Sequence, residues 1–428
     1  MELTFQSLCI GSLGIVGLFV LYALLTGSAS LRSFILARIL LTIPMIWILV
    51  TVVFLFMRVL PGDPIKSRMK PGTDPEKIAR IRESLGLNDP IHIQYVDYLN
   101  GLIHGDFGVS IVGEERPVAD KISERLPATI ELVIPASLIM LLVGVSSGAF
   151  AANQHKKPPD VAIRLGAVFV YSIPIFWMGL LLQMISSLQL GWLPVAGRID
   201  PTVPLNRHTN LLLLDSIITD HSFRAVIIFL LIFLGLPLKG FWPWFVKHKL
   251  SAHPRSDWLE IWLPRFYVLA ILLLAGGIAL TFTPNWKALS SAARHMILPV
   301  VTLSLALVGV FVRLTRANMI ETLQEDFVMA GRARGVPEGK LVYFHALRNT
   351  FIPILTLIGL QIAILFAGAV LTETTFSWPG MGLLLRDGIA LRDYPLVQGG
   401  VTVFAVMIAI TTMLMDILYA FVDPRIRY

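Results

Sequence analysis

Nine long apolar stretches constrain this chain more than any other feature of its sequence. An α-helix of about 20 apolar residues crosses the roughly 30 Å hydrocarbon layer of a bilayer. Backbone groups find no water there, so helices must satisfy them internally. The sequence therefore predicts an all-α polytopic membrane protein. The stretches lie at about 8–27, 36–57, 132–153, 165–191, 225–246, 261–283, 296–312, 351–371 and 397–421.

The composition agrees with a membrane protein and limits the chemistry. Apolar residues make up 55% of the chain and charged residues only 15%, against about 25% charged in soluble domains. The net charge of +7 would suggest nucleic acid in a soluble protein, but here Lys and Arg mark the cytoplasmic ends of spans. The one cysteine, Cys9, lies in an apolar stretch, so neither an intramolecular disulfide nor a Cys-based metal site is possible.

The distribution of Lys and Arg predicts which loops face the cytoplasm. One set of segments holds 16 Lys and Arg in about 80 residues, and the short loops on the other side hold 7 in about 71. The richer set is cytoplasmic by the positive-inside rule. Arg32 and Arg38 follow the first stretch and no basic residue precedes it, which favours a retained span over a signal peptide. The cytoplasmic segments are 28–38, 154–164, 247–260, 313–350 and 423–428.

The charged segment 313–350 lies between two apolar stretches. Its residues predict a helix over 319–334, with Gly335 at the C′ position and Pro337 in the first turn of a second helix. Ala330, Gly331 and Ala333 give a low-profile surface that another protein can approach closely. Two interpretations remain open from the residues alone: a docking element and a solvated helical hairpin.

Several kinds of chemistry lack the residues that they need. The sequence has no H-E-x-x-H, no G-x-S-x-G and no candidate catalytic or metal-binding cluster. The stretch Gly335–Lys340 is one residue short of a P-loop and is followed by Leu341 where Ser or Thr is required. Glu131, Asp416 and Arg313 lie towards span ends and are interpreted as interfacial anchors. Either other subunits supply the energy, or the chain is a self-contained channel or secondary carrier.

Several separate motifs resemble one family. The stretch "DFVMAGRARGVPEGKLVYFHALRNTFIPILTLIG" resembles the cytoplasmic EAA loop of ABC-importer permeases, with Ala330, Gly331, Gly335 and Pro353 at its hallmark positions. The order of motifs along the chain is similar to that of the B-type permease subunit of peptide/nickel (oligopeptide/dipeptide) importers. The other motifs are "RVLPGDPI", "LGLNDPIHIQYVDYLNGLIHGDFGVS", "GWLPVAG", "ETTFSWPGMGLLL", "RDYPLVQGG" and "DILYAFVDPRIRY".

This resemblance implies a type I importer permease with six core transmembrane helices, located in the inner (cytoplasmic) membrane. An N-terminal span and a two-span hairpin would be additions. The implied segments are 1–31 (extension with the extra span), 32–57 (first core span), 58–129 (extracytoplasmic loop), 130–224 (core spans and outer loop), 225–284 (inserted hairpin) and 285–428 (core region with loop 313–350).

The resemblance also implies partners. These are a homologous C-type permease, two ATPase subunits that hold ATP and magnesium, and an extracytoplasmic binding protein; this chain itself would hold no cofactor. The implied ATPase-docking residues are Ala330, Gly331, Arg332, Arg334, Gly335, Glu338 and Lys340. Gly331 stands where the family commonly has Ala, a change that loosens a helix by about 1 kcal/mol.

Polar residues inside spans are the candidates for a translocation path, namely Gln183, Ser304 and Gln361. Outside the membrane, Phe376 and Trp378 either shape the mouth of that path or belong to an interfacial aromatic belt. The transported solute stays open at this stage among di- and oligopeptides, nickel chelates, glutathione-like thiols and antimicrobial peptides.

Overall fold

A computed structural model describes residues 29–59, 88–110, 116–204, 210–217 and 285–422. They fall into two units. The larger is formed by residues 29–198 and 294–422, and the smaller by residues 199–204, 210–217 and 285–293. The predicted first span at 8–27, the inserted hairpin at 225–284 and the amphipathic part of the outer loop before residue 88 lie outside the described residues.

Helices form all the long elements of the described chain. Five of them are long and apolar enough to cross a membrane, and a sixth crossing results if the bent pair α4–α5 is one span. They cover the six predicted stretches that fall within the described residues, so the all-α membrane prediction is confirmed there. The helices are α1 Ala29–Val59, α2 Ile91–Ile103, α3 Val118–Asn153, α4 Pro158–Ser172, α5 Ile175–Leu182, α6 Leu212–Ile217, α7 Trp286–Thr322, α8 Asp326–Ala333, α9 Glu338–Lys340, α10 Leu347–Phe376, α11 Met381–Ala390 and α12 Tyr394–Val422, with π-helical stretches at Gln183–Gln189 and Leu341–Ala346.

The stretch 165–191, predicted as one continuous run, is bent by 101° between α4 and α5. Pro174 explains the bend, because it has no N–H to donate and it drives the preceding Ile173 into an extended conformation. The two halves still connect opposite ends of the bundle. Asp160 in α4 bonds Arg316, close to the end of α7, and Gln183 after α5 bonds the Thr375 carbonyl at the far end of α10.

The core of the larger unit lies where α3, α7 and α10 meet. On α10, Ile354, Ile358, Leu365 and Ala369 are buried at spacings of three or four residues, which is one face of a helix. Outside this core, α1 packs along α12, and Arg38 lies 3.4 Å from the Asp416 carboxylate at their shared end. Asp416 thus occupies the span-end position expected of an anchor.

Two glycines bring α3 and α7 into close contact. A Cβ atom on Gly144 would lie 2.5 Å from the Phe311 Cβ, and one on Gly148 would lie 2.7 Å from the Thr315 Cβ. The spacing of four residues puts both glycines on one face of α3, which is the small-xxx-small pattern of close helix packing in membranes. The two helices can approach this closely only because neither position carries a side chain.

The smaller unit is held by polar contacts of its own. The Asp200 carboxylate accepts bonds from the backbone N–H and the hydroxyl of Thr202, and the Asp200 N–H donates to Ser291 Oγ at 3.0 Å. Before the start of α7, the Asn285 N–H donates to the Ser216 carbonyl at 2.8 Å. These bonds fix the chain on either side of the undescribed segment 218–284.

We expect Gly148→Leu to destabilise the protein, because the added side chain would overlap Thr315 and the α7 backbone; overpacking of this kind costs about 1–3 kcal/mol. The measurement is the melting temperature of the purified protein in detergent. Gly166→Leu is the matched control, since a Cβ on Gly166 meets nothing within 4 Å. Equal melting temperatures for the two variants would contradict the packing role assigned to Gly148.

Candidate functional site

Residues 323–346 form a loop, here called the coupling loop, that joins α7 to α10 on the side predicted to be cytoplasmic. The sequence predicted one helix over 319–334, and this is wrong in one respect. The chain leaves the helix after Thr322 and re-enters it at Asp326, with Glu325 as the extended N-cap. Asp326 in the first turn of α8 suits the positive end of the helix dipole. The break makes α8 a short, separate helix.

A Schellman motif ends α8. Gly335 has a φ of 75°, its N–H donates to the Arg332 carbonyl at 3.0 Å, and the Val336 N–H donates to the Gly331 carbonyl at 3.1 Å. This is the C′ role predicted for Gly335. Pro337 follows as the N-cap of α9, one residue earlier than expected. The turn is therefore specified by one glycine and one proline.

Gly331 is half-buried and packs inside the loop. A Cβ on this residue would lie 2.5 Å from the Leu341 Cδ2, and Leu341 is itself buried. Gly331 was expected to contribute to an open surface, but its small size lets α8 lie against the start of the next helix. The surface that α8 presents outward is instead apolar and is formed by Phe327, Met329, Ala330 and Ala333.

Two of the predicted docking residues pair with each other. The Arg332 Nη2 donates to the Glu338 Oε1 at 2.7 Å across the turn, and both side chains are about half exposed. The hydrogen bond from Arg332 holds the pKa of the Glu338 carboxyl below its ordinary value. The remaining predicted docking residues, Arg334, Gly335 and Lys340, are exposed around α8.

A second ion pair fixes the bent span next to the coupling loop. The Arg316 guanidinium donates to both oxygens of the buried Asp160 carboxylate, and the Nη2 distance is 2.7 Å. Asp160 also accepts the Lys156 N–H at 3.0 Å. Arg316 lies two turns before the end of α7. This contact ties α4 to the helix that leads into α8.

At the opposite end of the bundle, Glu373 holds the start of α11. Its Oε2 accepts the N–H groups of Gly382 and Leu383 at 2.6 and 3.1 Å, and its Oε1 accepts the Thr129 hydroxyl at 2.6 Å. These are the donors that the first turn of a helix leaves unpaired. Gly380 is necessary here because a Cβ on it would lie 2.3 Å from the carboxylate carbon. We call Glu373, Thr129 and the first turn of α11 the outer clamp.

Phe376 and Trp378 lie within the packing around this clamp. Both side chains are 1% exposed, so neither faces the outer mouth or belongs to an interfacial belt, and both expectations are wrong. The Trp378 indole N–H donates to the Ala128 carbonyl at 2.9 Å. Burial with its polar group satisfied is the usual state of a core tryptophan.

Glu131 is a buried ion-pair partner, which corrects its interpretation as an interfacial anchor. The Arg198 Nε donates to Glu131 Oε2 at 2.9 Å, and both residues are buried. The Arg198 guanidinium also lies 5.7 Å from the centre of the Trp378 ring. The "GWLPVAGR" motif thus reaches back to α3 and to the outer clamp, a contact that the sequence spacing does not reveal.

Two further motifs fit together in the same region. The Ser110 hydroxyl donates to the buried Asp393 carboxylate at 2.6 Å, and a Cβ on Gly399 would lie 3.1 Å from the Phe107 Cβ. "GDFGVS" and "RDYPLVQGG" are therefore complementary surfaces of one contact. The Tyr98 hydroxyl, 2.7 Å from the Thr402 Oγ1, extends this contact to α2.

The three candidates for the translocation path have different surroundings. The Gln183 amide donates to the Val195 carbonyl at 2.9 Å and to the Thr375 carbonyl at 3.2 Å, and the Ser304 hydroxyl donates to the Val301 carbonyl at 2.9 Å. Both groups are thus occupied in holding the backbone. Gln361 is buried on α10, and its Oε1 has no hydrogen-bond partner. Its role in a path stays a prediction.

The bundle, the short helix on the coupling loop and the motif contacts define a permease of the type I importer fold. The sequence matches the family described as binding-protein-dependent transport system inner membrane component over residues 225–428, and the N-terminal model of that system over residues 31–133. The chain belongs to this family, and it is a B-type permease subunit of an ABC importer. Family membership replaces the alternative of a self-contained channel or secondary carrier.

Three relatives represent the similarity. The chain is 34% identical over 397 residues to the di/tripeptide transport system permease protein DppB of Pseudomonas aeruginosa. It is 35% identical over 398 residues to the dipeptide transport system permease protein DppB of Escherichia coli K12. It is 31% identical over 399 residues to the glutathione transport system permease protein GsiC of Salmonella typhimurium. Each comparison covers 92% of this chain and 99% of the relative.

Sequence reasoning missed three structural residues of this region: Glu373, Asp160 and Arg198. Only the Gly144–Gly148 pair carried a recognisable local signal, the spacing of two small residues by four. The partners of the others lie far away along the chain; Glu373 and Thr129, for example, are 244 residues apart. No local pattern identifies such a partner.

We expect Glu373→Gln to destabilise the outer clamp, because an amide presents only one acceptor to three donors and leaves a buried polar group unsatisfied, at a cost of about 1–3 kcal/mol. The free energy of unfolding in detergent measures this effect. Glu124→Gln is the control, since Glu124 pairs with Arg116 on an exposed surface, where ion pairs contribute little. Similar losses in the two variants would show that Glu373 is not a structural cap.

Proposed function

We propose that this chain forms half of a translocation path for di- and oligopeptides in the inner (cytoplasmic) membrane. A homologous C-type permease forms the other half, an extracytoplasmic binding protein delivers the solute, and two ATPase subunits dock in the cytoplasm. The chain itself is not an enzyme, and ATP and magnesium belong to the ATPase subunits. Support for a peptide solute comes from relatives named for dipeptides, di/tripeptides and glutathione, which are all small peptides.

The geometry of the coupling loop is the observation that carries the proposal. The helix α8 presents an apolar outer face, on which Met329 is 53% exposed. Its inner face is fixed by the buried Val328 and by the contact of Gly331 with Leu341. An exposed apolar surface rimmed by Arg334 and Lys340 suits a protein partner. In this proposal, the ATPase surface receives α8, with charged residues at the edge.

Fixed connections at both ends of α8 support its role in transmission. The chain leaves α7 only three residues before α8 and enters the α9–α10 region two residues after Arg334. A push on α8 therefore acts on two core spans at once. Through the Asp160–Arg316 pair, the same push reaches α4. Such coupling favours a rigid-body movement of the spans between inward- and outward-open arrangements.

The proposal predicts that Gly335→Val abolishes copurification of the ATPase subunits while membrane insertion stays normal. Valine at a φ of 75° is strained, because β-branched residues disfavour that conformation, so the turn after α8 changes direction. Gly339→Val is the matched control in the same loop, because a Cβ there meets nothing within 4 Å and Gly339 has no positive φ. Unchanged copurification of Gly335→Val would count against docking at this loop.

Transport tests the function as a whole. The reconstituted complex should take up labelled dipeptide only with ATP and binding protein, and the purified chain alone should take up none. Vectorial uptake by the chain alone would overturn the proposal.

A further inference from the structure

We propose that Arg313, placed on the ring of Tyr171, binds the carboxylate of the transported solute at the inner half of the path. The inference rests on the proposed function and names the chemical group that this chain recognises. Arg313 was interpreted from the sequence as an interfacial anchor. Its surroundings in the structure argue against that role.

The first observation is that Arg313 has no anionic partner in the part of the chain that the structure describes. Arg38, Arg198 and Arg316 each lie within 4 Å of a carboxylate. Arg313 instead donates its Nε–H to the Gly309 carbonyl at 3.3 Å, and its guanidinium lies 4.9 Å from the centre of the Tyr171 ring. Its remaining N–H groups meet no acceptor among the described residues.

The second observation is the direction of the side chain. Arg313 follows an apolar segment, 296–312, that contains no ionisable residue. Gly309 lies one turn before Arg313, on the side of the membrane interior, so the bond to its carbonyl points the side chain away from the predicted cytoplasmic surface. An arginine that anchors a span extends the other way, towards lipid headgroups and water.

The third observation is exposure. Arg313 is exposed on the surface of this chain and begins a stripe on α7 that continues through the exposed Ala317, Glu321 and Gln324. These residues recur every three or four positions and share one helix face. Charged groups that face lipid at membrane depth are costly, whereas a charged stripe along a water-filled path is not. The stripe therefore lines the path.

The chemistry of the site indicates a carboxylate. The guanidinium fork matches a carboxylate in shape and charge, and the Tyr171 ring holds the guanidinium plane through a cation–π contact. Every linear peptide with a free C-terminus carries that carboxylate, whatever its side chains. A single arginine is thus sufficient for a path that accepts many peptides. Arg164, seven residues before Tyr171 and on the same helix face, adds positive charge on this side.

The test uses a reporter cysteine beside an intact Arg313. In the complete transporter, with the single native cysteine removed by Cys9→Ser, Ala317→Cys is labelled from the cytoplasmic face of inside-out vesicles with a charged, membrane-impermeant maleimide. Leu142→Cys is the control, because Leu142 is an exposed apolar residue of a membrane span. We expect Cys at 317 to react about tenfold faster or more, a difference of about 1.4 kcal/mol or more.

Dialanine and its C-terminal amide then test the carboxylate. Dialanine at twice its dissociation constant should slow labelling at 317 about threefold, and the amide at the same concentration should not. Adding Arg313→Gln should abolish the protection, and Arg313→Lys should retain part of it. Copurification of the ATPase subunits verifies assembly of each variant, and Glu321→Cys replaces Ala317→Cys if the latter does not assemble.

Three results would overturn the inference. Labelling at 317 no faster than at 142 would mean that the stripe faces lipid headgroups or a partner subunit. Equal protection by dialanine and its amide would mean that the carboxylate is not recognised. Protection that survives Arg313→Gln would assign recognition to other residues. The proposed function fails separately, if the wild-type complex hydrolyses ATP without importing peptide.

Discussion

A polar group inside a bilayer has no water to bond, and the irregular parts of this bundle follow from that constraint. The first turn of α11 begins against the core, where its N–H groups would otherwise be unsatisfied, and the Glu373 carboxylate accepts two of them. Thr129 connects the same carboxylate to α3. Each unsatisfied group at such a site costs several kcal/mol, so the clamp and the helix that it caps depend on each other.

Buried charge obeys the same constraint. Arg198 and Glu131 satisfy each other beneath the outer motifs, and Arg316 and Asp160 do so next to the coupling loop. Removal of one partner from such a pair leaves an uncompensated charge. These pairs join distant segments at the two ends of the bundle. Between them, close packing takes over, with Gly144 and Gly148 setting the distance between α3 and α7.

The coupling loop combines rigidity inside with an apolar surface outside. Gly331 allows α8 to lie on Leu341, Gly335 turns the chain, and the Arg332–Glu338 pair closes the turn. A flexible hairpin would absorb a push from a partner, whereas a short helix fixed at both ends passes the push to α7 and α10. A motor-driven permease needs such an element because the chain supplies no energy of its own.

The sequence by itself determined the membrane class, the helical character, the position of the coupling loop and the turn at Gly335. All of these follow from local properties: the length of an apolar run, the charge of a loop and the left-handed conformation that glycine permits. The motifs also carried the family resemblance, which the comparisons confirmed.

Only the tertiary structure decided what the motif residues do. Phe376 and Trp378 look like surface aromatics and are buried, Glu131 looks like an anchor and is paired, and Gly331 looks like a docking residue and is packed against Leu341. The stretch 165–191 looks continuous and is bent at Pro174. In each case the deciding neighbour lies on another element or the outcome depends on the whole bundle. Local sequence fixes which groups need a partner, and only the packed helices determine which partner each group has.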